Sequence, residues 1–566
     1  MRHLLPAFSL IFATGLASQE SPSQGAGGLV ADIERYTTDR AALARRYPVS
    51  MSPARQARMQ TFYHSWQTRI AEIDFITLNR DGRIDWLLFD NHLRREQRRL
   101  THESRRDEEI DALVPFHAEL VKLCEAQLRR EGLDPRNTAE LLDKVGSGIE
   151  KLRSTIDLPE TKRTLRSRAA DRIRKLRSSL RNWYRFHDGY DPQFSWWVRK
   201  PYEKTDSELR SHVEALTRSL AGEEHEDAPI IGDPIGRDAL LDELKFEMVS
   251  YTPEELIAIA KKELAWCEGE MLRASRQLGF GGDWQEALAH VKTKHVSPGE
   301  QPELIVELAQ EAIEFLEERD LITIPDLAKE LWRIEMMSPA RQKVNPYFTG
   351  GEIISISFPT DGMEHRDKLM SLRGNNRHFA RATVHHELIP GHHLQQFMTT
   401  RHRTHRRVFS TPFWLEGWAL YWELRLWDLG FPKSAEDRVG MLFWRMHRCA
   451  RIIFSLSFHL GQMTASEAIE FLIERVGHER NNATAEVRRS VQGGYGPLYQ
   501  AAYMLGGLAL IALNDELVKS GVMTEREFHD AVLHQNSIPI GMLRATLSSG
   551  DVTQGTAPEF RFYDRK

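Results

Sequence analysis

Cysteine is scarce in this chain. Cys124, Cys267 and Cys449 are the only three in 566 residues, too few and too scattered to specify a disulfide framework, so stability has to come from packing. None stands near the N-terminus, where it could accept lipid. A dominant charge is also lacking: 76 basic residues face 81 acidic ones, for a formal net charge of −5, and that balance offers no global field to nucleic acid. Beyond the N-terminus, long hydrophobic runs are missing as well. The least polar stretch, Gly496 to Leu513, is broken by Tyr499, Gln500 and Tyr503, so it reads as a helix buried in protein and not as a membrane span. What the chain does have, 41% hydrophobic and 28% charged residues, is enough to bury a large core.

Residues 1–17 combine a basic start, an apolar stretch and small residues, Gly15 and Ala17, ahead of a cut. They read as a signal peptide, which makes the protein exported, periplasmic or extracellular. Residues 18–28, rich in Ser, Gln and Gly, read as a flexible leader. An N-terminal helical region follows over 29–221, then a connector at 222–236 rich in Gly, Pro and acidic residues, then a helical region over 237–566 that carries the chemistry-bearing motifs. Within the first region, Leu165, Ala169, Ile173, Leu176, Leu180 and Trp183 recur at steps of three and four, which leaves a stripe of arginines on the solvated face. Ile353 to Pro359 alternates Ile and Ser after Gly350-Gly351 and reads as a strand, suited either to closing the core or to pairing with a peptide.

Four histidines and a glutamate fall within the nine residues His385-His386-Glu387-Leu-Ile-Pro390-Gly391-His392-His393, and Glu416 and Glu423 follow in Glu-Gly-Trp-Ala-Leu-Tyr-Trp-Glu. Two imidazoles and a distant carboxylate can hold zinc with one position open. A glutamate beside the first imidazole can then accept a proton from water, the arrangement a hydrolase of amide bonds needs. The spacing is unusual. In His-Glu-x-x-His the two ligands share a helix face, whereas His386 and His392 are six apart, an offset of about 240° on a regular helix. Pro390 and Gly391 supply a remedy, because proline interrupts helical hydrogen bonding and glycine accepts torsions closed to other residues. The metal reading therefore requires a broken helix at Pro390-Gly391. A regular helix would instead pair His385 with His392, and His386 with His393, as core or surface histidines about 10 Å apart. Asn375 or Asn376 can cap the helix that carries the motif. Glu416 and Glu423, seven apart, share a face of the next helix after Pro412.

These residues resemble a known family. His386-Glu-x-x-Pro-Gly-His-His-Leu-Gln395, followed by Glu416-Gly-Trp-Ala-Leu-Tyr-x-Glu423, is similar to the bacterial domain-of-unknown-function 885 family, whose fold is similar to helical zinc carboxypeptidases and angiotensin-converting-enzyme-like peptidases. Pro234 to Leu244 and Gly496 to Gly507 extend the resemblance on both sides. It implies a mostly α fold: a large helical bundle with a deep central groove and a small β-sheet beside the zinc-motif helix. It implies one Zn2+ per chain held by His386, His392 and Glu416, with His393 competing for the place of His392, and Glu387 as general base. Tyr503 matches the family tyrosine that steadies the oxyanion, with Tyr495 and Tyr499 as competitors. Glu423 either orients a neighbouring ligand or makes a structural salt bridge. Arg488 and Arg489 lie close enough ahead for a guanidinium fork to grip a substrate carboxylate, or else to bridge helices; Arg489 and Tyr499 are the residues assigned to substrate.

The expected function is zinc-dependent hydrolysis of peptide bonds by a carboxypeptidase or dipeptidase acting on short peptides, with no nucleic-acid partner and no membrane span in the mature chain. A peptide-binding protein with a degenerate groove is the alternative. A carboxylate-bridged di-iron bundle fits worse, since its Glu-x-x-His elements are absent: Pro390 stands three after Glu387, and Ala419 three after Glu416.

Overall fold

Side-chain caps start several of the helices, among them those that begin after Ser52 and Thr252, at positions that the sequence marks. The computed structural model describes residues 29–156, 158, 160–218, 230–342, 347–492, 494–555 and 560–563. Residues 1–28, where a signal peptide and leader are expected, and the 222–229 part of the connector lie outside the described residues. Helices α1 (Val30–Arg46), α2 (Pro53–Ala71) and α3 (Arg80–Glu108) come first, with Ser52 and Asn79 capping α2 and α3. A second group follows: α4 (His117–Arg129), α5 (Pro135–Thr155), α6 (Arg163–His187) and α7 (Pro192–Arg218).

Past the connector run α8 (Arg237–Phe246), α9 (Pro253–Gln277), α10 (Trp284–Lys292), α11 (Gln301–Glu318) and α12 (Asp326–Leu331); a Thr252/Glu255 capping box opens α9. Strands β1 (Arg333–Met336) and β2 (Ile353–Ile356) pair in parallel, Ile334 opposite Ile354, with the short α13 (Pro339–Gln342) between them. The remaining helices are α14 (His365–Gly374), α15 (Arg377–Glu387), α16 (His392–Thr399), α17 (Pro412–Asp428), α18 (Ala435–His459), α19 (Ala465–Val476), α20 (Arg480–Gln492), α21 (Tyr499–Leu517), α22 (Glu525–His534) and α23 (Ile540–Leu547). The fold is mostly α with one small sheet, and among the described residues no helix is long and apolar enough to cross a membrane.

Packing sorts these elements into two principal cores. One joins α1–α3 to the helices that follow the connector, and the other is built by α4–α7. A smaller cluster ties Ile354 and Ile356 of β2 to Leu304 and Leu308 of α11 and to Val384 and Leu388, which pins the sheet beside α15. At the centre of the larger core α17 is apolar nearly all round, with Trp414, Trp418 and Trp422 each 0% exposed, and a helix of that kind belongs inside. Helix α18 backs it and is buried almost without interruption from Val439 to His459. Helix α21 approaches α17 at backbone distance: a Cβ on Gly417 would meet Gly506 Cα at 2.7 Å, and one on Gly506 would meet Phe413 O at 2.2 Å.

That contact leaves no room for a methyl group. Gly506→Ala is expected to cost about 1–3 kcal/mol through overpacking, read as an earlier urea midpoint at unchanged slope. A midpoint equal to that of the unaltered protein would mean that the two helices part freely.

Candidate metal centre

Asn376 begins the motif helix by accepting the N–H groups of His378 and Phe379 at 3.0 and 3.1 Å. Helix α15 then ends at Glu387, and Leu388 turns out of it with φ −108° and ψ −106°. The chain crosses the gap on two backbone hydrogen bonds, Gly391 N–H to His385 O and His393 N–H to Leu388 O, both 3.0 Å. Trp418 Nε1 donates to Pro390 O at 2.8 Å and fastens the bend to α17. A Cβ at Gly391 would sit 1.8 Å from His386 O, so only glycine fits. Helix α16 restarts at His392. The break that the spacing requires is present, and it swings His392 back over His386, with ring centroids 4.9 Å apart.

His386, His392 and Glu416 each turn one ligand atom inward, all within 4.8 Å of one another. His392 Nε2 stands 3.1 Å and His386 Nε2 3.9 Å from Glu416 Oε2. Tetrahedral ligands at ordinary zinc distances lie about 3.3 Å apart, so the donor set fits a divalent ion with small adjustments. The far side of each ligand is held. His386 Nδ1 lies 2.7 Å from Glu423 Oε1, His392 Nδ1 faces Gln395 Oε1 at 3.3 Å, and the Tyr499 hydroxyl donates to Glu416 Oε1. With Nδ1 facing an acceptor, His392 offers its Nε2 lone pair to the centre, and the Glu423 carboxylate beside His386 Nδ1 favours the same arrangement there. His393 points elsewhere, with Nε2 2.7 Å from Ala328 O. His385 is buried against Phe431.

The charges are mutually adjusted. Burial alone would lower the pKa of His392, but the Glu416 carboxylate outweighs it and brings it up to about 9. Burial would raise Glu416, yet His392, His386 and the Tyr499 hydrogen bond hold it well below the usual carboxylate range. For Glu423, Arg448 and His386 overcome burial and bring it down to about 2. Glu387 goes the other way: burial, joined by Glu416, raises it above the usual value against the pull of His386, His392 and Arg448. Its backbone carbonyl accepts from Gly351 N–H at 3.2 Å, and a Cβ on Gly350 would strike the Glu387 side chain at 2.4 Å. The glycine pair ahead of β2 thus lies directly on this glutamate.

Tyr503 lies parallel to the His386 ring, centroids 6.2 Å apart. Burial and then Glu416 push its pKa up to about 12, so the phenol stays protonated. Arg448 and Arg451 stack over its ring at 4.8 and 4.6 Å. Arg451 grips Glu486 with Nε and Nη2 at 2.7 and 3.0 Å, and Arg489 Nε stands 3.6 Å from the same carboxylate. Tyr499, assigned to substrate on sequence grounds, has its hydroxyl engaged by Glu416. Tyr495 is exposed and stacks on Tyr499, centroids 4.4 Å apart. Sequence reasoning missed Arg448, Arg451, Glu486, Gly350 and Gln395. Only Gln395, one helical turn after His392, carried a local signal.

Residues 37–547 match the profile of a family described as bacterial protein of unknown function, DUF885. The chain belongs to this family. Among curated proteins nothing matches. Of solved structures, a candidate lipoprotein of unknown function from Shewanella oneidensis is similar over 91% of this chain and 99% of its own, at 16% identity and a TM-score of 0.66. A candidate lipoprotein from Colwellia psychrerythraea is similar over 92% of this chain and 97% of its own, at 16% identity and a TM-score of 0.55. At that identity the likeness speaks for the fold.

Metal content separates the two adjacent histidines. If the cluster holds a divalent ion, His392→Ala and Glu416→Gln are expected to purify without it, whereas His393→Gln retains it in elemental analysis. Glu423→Ala should weaken metal affinity by about 10–100-fold. Loss of the ion from the His393 variant alone would reverse the ligand assignment.

Proposed function

We propose that this protein is a zinc-dependent hydrolase of peptide bonds, a carboxypeptidase or dipeptidase acting on short peptides, related in fold to helical zinc carboxypeptidases and angiotensin-converting-enzyme-like peptidases. The single observation that carries the reading is the convergence of His386, His392 and Glu416 within 4.8 Å, with Glu387 next in sequence to the first of them. When bound, a zinc ion would lower the pKa of water and polarise a carbonyl. Glu387, with its raised pKa, accepts the proton of the attacking water and returns it to the departing amine. Tyr503 donates its O–H to the carbonyl oxygen as negative charge grows there. Glu423, Gln395 and Tyr499 keep the three ligands aimed.

The preference for a free carboxyl end rests on the arginines beside Tyr503. Arg448 Nε, Arg451 Nη1 and Arg489 Nε are buried and have no hydrogen-bond partner among the described residues. Orphaned guanidinium donors are costly, and a substrate carboxylate would satisfy them. Export is part of the same proposal. The composition of residues 1–17 supports it, as does the description of both structural relatives as candidate lipoproteins.

Glu387→Gln is expected to keep one equivalent of zinc while kcat falls by about 10²–10⁴-fold in digestion of a short-peptide library. Zinc retained with full turnover would refute the role of Glu387, and binding without cleavage by the unaltered protein would favour a peptide-binding function. Iron near two equivalents would favour a di-iron bundle.

In the active enzyme, kcat/KM should fall as pH drops through the raised pKa of Glu387, because the base is lost by protonation. No basic limb from Tyr503 is expected below about 12. Arg489→Ala should raise KM for peptides with a free carboxyl end and leave peptide amides unchanged; equal effects on both would remove the arginine from substrate recognition.

A further inference from the structure

The end of the α6–α7 hairpin carries an unusual set of side chains. Leu180 and Trp183 of α6 pack with Phe194 and Val198 of α7 in the second core. Between and beside them Phe186 is 62% exposed, Tyr190 89%, Trp196 82% and Trp197 39%. These four aromatics sit within twelve residues of sequence. Their exposure does not come from a loose end. Asp191 Oδ1 accepts the N–H groups of Gln193 and Phe194 at 2.9 and 3.1 Å, and Gly189 N–H donates to Ser195 Oγ at 2.8 Å. Trp183 meets Phe194 edge-on at 5.3 Å, and Tyr184 stacks on Tyr202 at 3.8 Å. A firm turn therefore holds the exposed rings out into solvent.

The surrounding charge decides what they meet. Along the middle of α6 the arginines are neutralised: Arg168 by Asp233, Arg172 by Asp107 and Arg177 by Asp206. At the tip this changes. Arg185 and Lys200 are exposed and have no carboxylate within 4 Å among the described residues, and Arg136 lies over the Trp197 ring at 4.6 Å. Of the nearby acidic groups, Asp134 caps α5, Asp191 holds its own turn and Asp188 faces Arg199 at 3.3 Å, while Glu203 stands exposed on α7 one turn beyond Lys200. Exposed Trp and Tyr rings ringed by free cations match the headgroup region of a bilayer, where the rings find an interfacial environment and the cations find phosphates.

We propose that the tip of the α6–α7 hairpin docks this protein on the surface of an anionic phospholipid bilayer. The tip belongs to the core of α4–α7, while the metal centre belongs to the other, so docking does not draw on any group used in hydrolysis. The proposal is independent of the peptidase reading.

Co-sedimentation of the full chain with vesicles tests it. Vesicles of phosphatidylethanolamine with one third phosphatidylglycerol are expected to pellet the protein, vesicles of phosphatidylcholine alone are not, and added salt should release it. The triple variant Tyr190→Ser/Trp196→Ser/Trp197→Ser should partition at least about tenfold less. Arg185→Gln/Lys200→Gln should lose about fivefold per cation removed. All five side chains are exposed, and unchanged thermal melts would establish that the variants fold. Failure of the unaltered protein to pellet with phosphatidylglycerol would overturn the proposal, as would variants that pellet equally well. Self-association through the tip, abolished by the triple variant in the absence of vesicle binding, would also overturn it in favour of a second copy.

Discussion

The break between Leu388 and Gly391 is the constraint on which the centre depends. Two imidazoles six residues apart belong on different sides of an α-helix, and only a bend returns the second to the first. Such a bend exposes backbone groups that a helix would have satisfied, and each one left buried and unpaired costs about 1–3 kcal/mol. The protein meets that cost locally. His385 O and Leu388 O receive amides from across the gap, and Pro390 O receives the indole N–H of Trp418. Because Trp418 sits on the same helix as Glu416, the clamp that secures the bend also fixes the distance to the third ligand.

That helix is located in turn by glycine. Gly417 and Gly506 let α17 and α21 touch backbone to backbone, which brings Tyr499 of α21 onto Glu416 and stacks Tyr503 against His386. Helix α18 supplies the counter-charge: Arg448 joins Glu423, the partner of His386, to the face of Tyr503. His386 and Glu416 are thus backed by residues of other helices and His392 by Gln395 of its own, the kind of support that preorganises a site able to take an ion.

Much of this could be read from the chain. The caps at Ser52, Thr252 and Asn376 and the break at Pro390-Gly391 are local events, governed by residues that are neighbours in sequence. Ligand choice between His392 and His393 was harder, because adjacent residues differ by about 100° around a helix and the angle of the bend decides which one faces inward. Tyr499 and Tyr503, four apart, share a face; the packing of α21 against α17 determines which hydroxyl reaches Glu416. Arg448 and Arg451 left no signature, since their helix is buried on nearly every side and its pattern says only that it is interior. Exposed aromatics at the α6–α7 tip were equally hidden, because Trp and Tyr in sequence suggest core.

The bend also bears on the acidity of Glu387, the base of the proposed reaction. Glu387 is the last residue of α15, so its carboxylate stands near the negative end of the helix dipole, which disfavours its ionised form. Burial and the nearby Glu416 act in the same direction. In an unbroken helix the same glutamate would lie mid-helix, without that contribution, and the Gly350-Gly351 segment could not receive its backbone carbonyl as it does here. A carboxylate raised in this way is a better proton acceptor near neutral pH than an ordinary glutamate. One irregularity therefore accounts for two features together: it brings His386 and His392 to Glu416, and it leaves the neighbouring Glu387 with the raised pKa that the proposed proton transfer calls for.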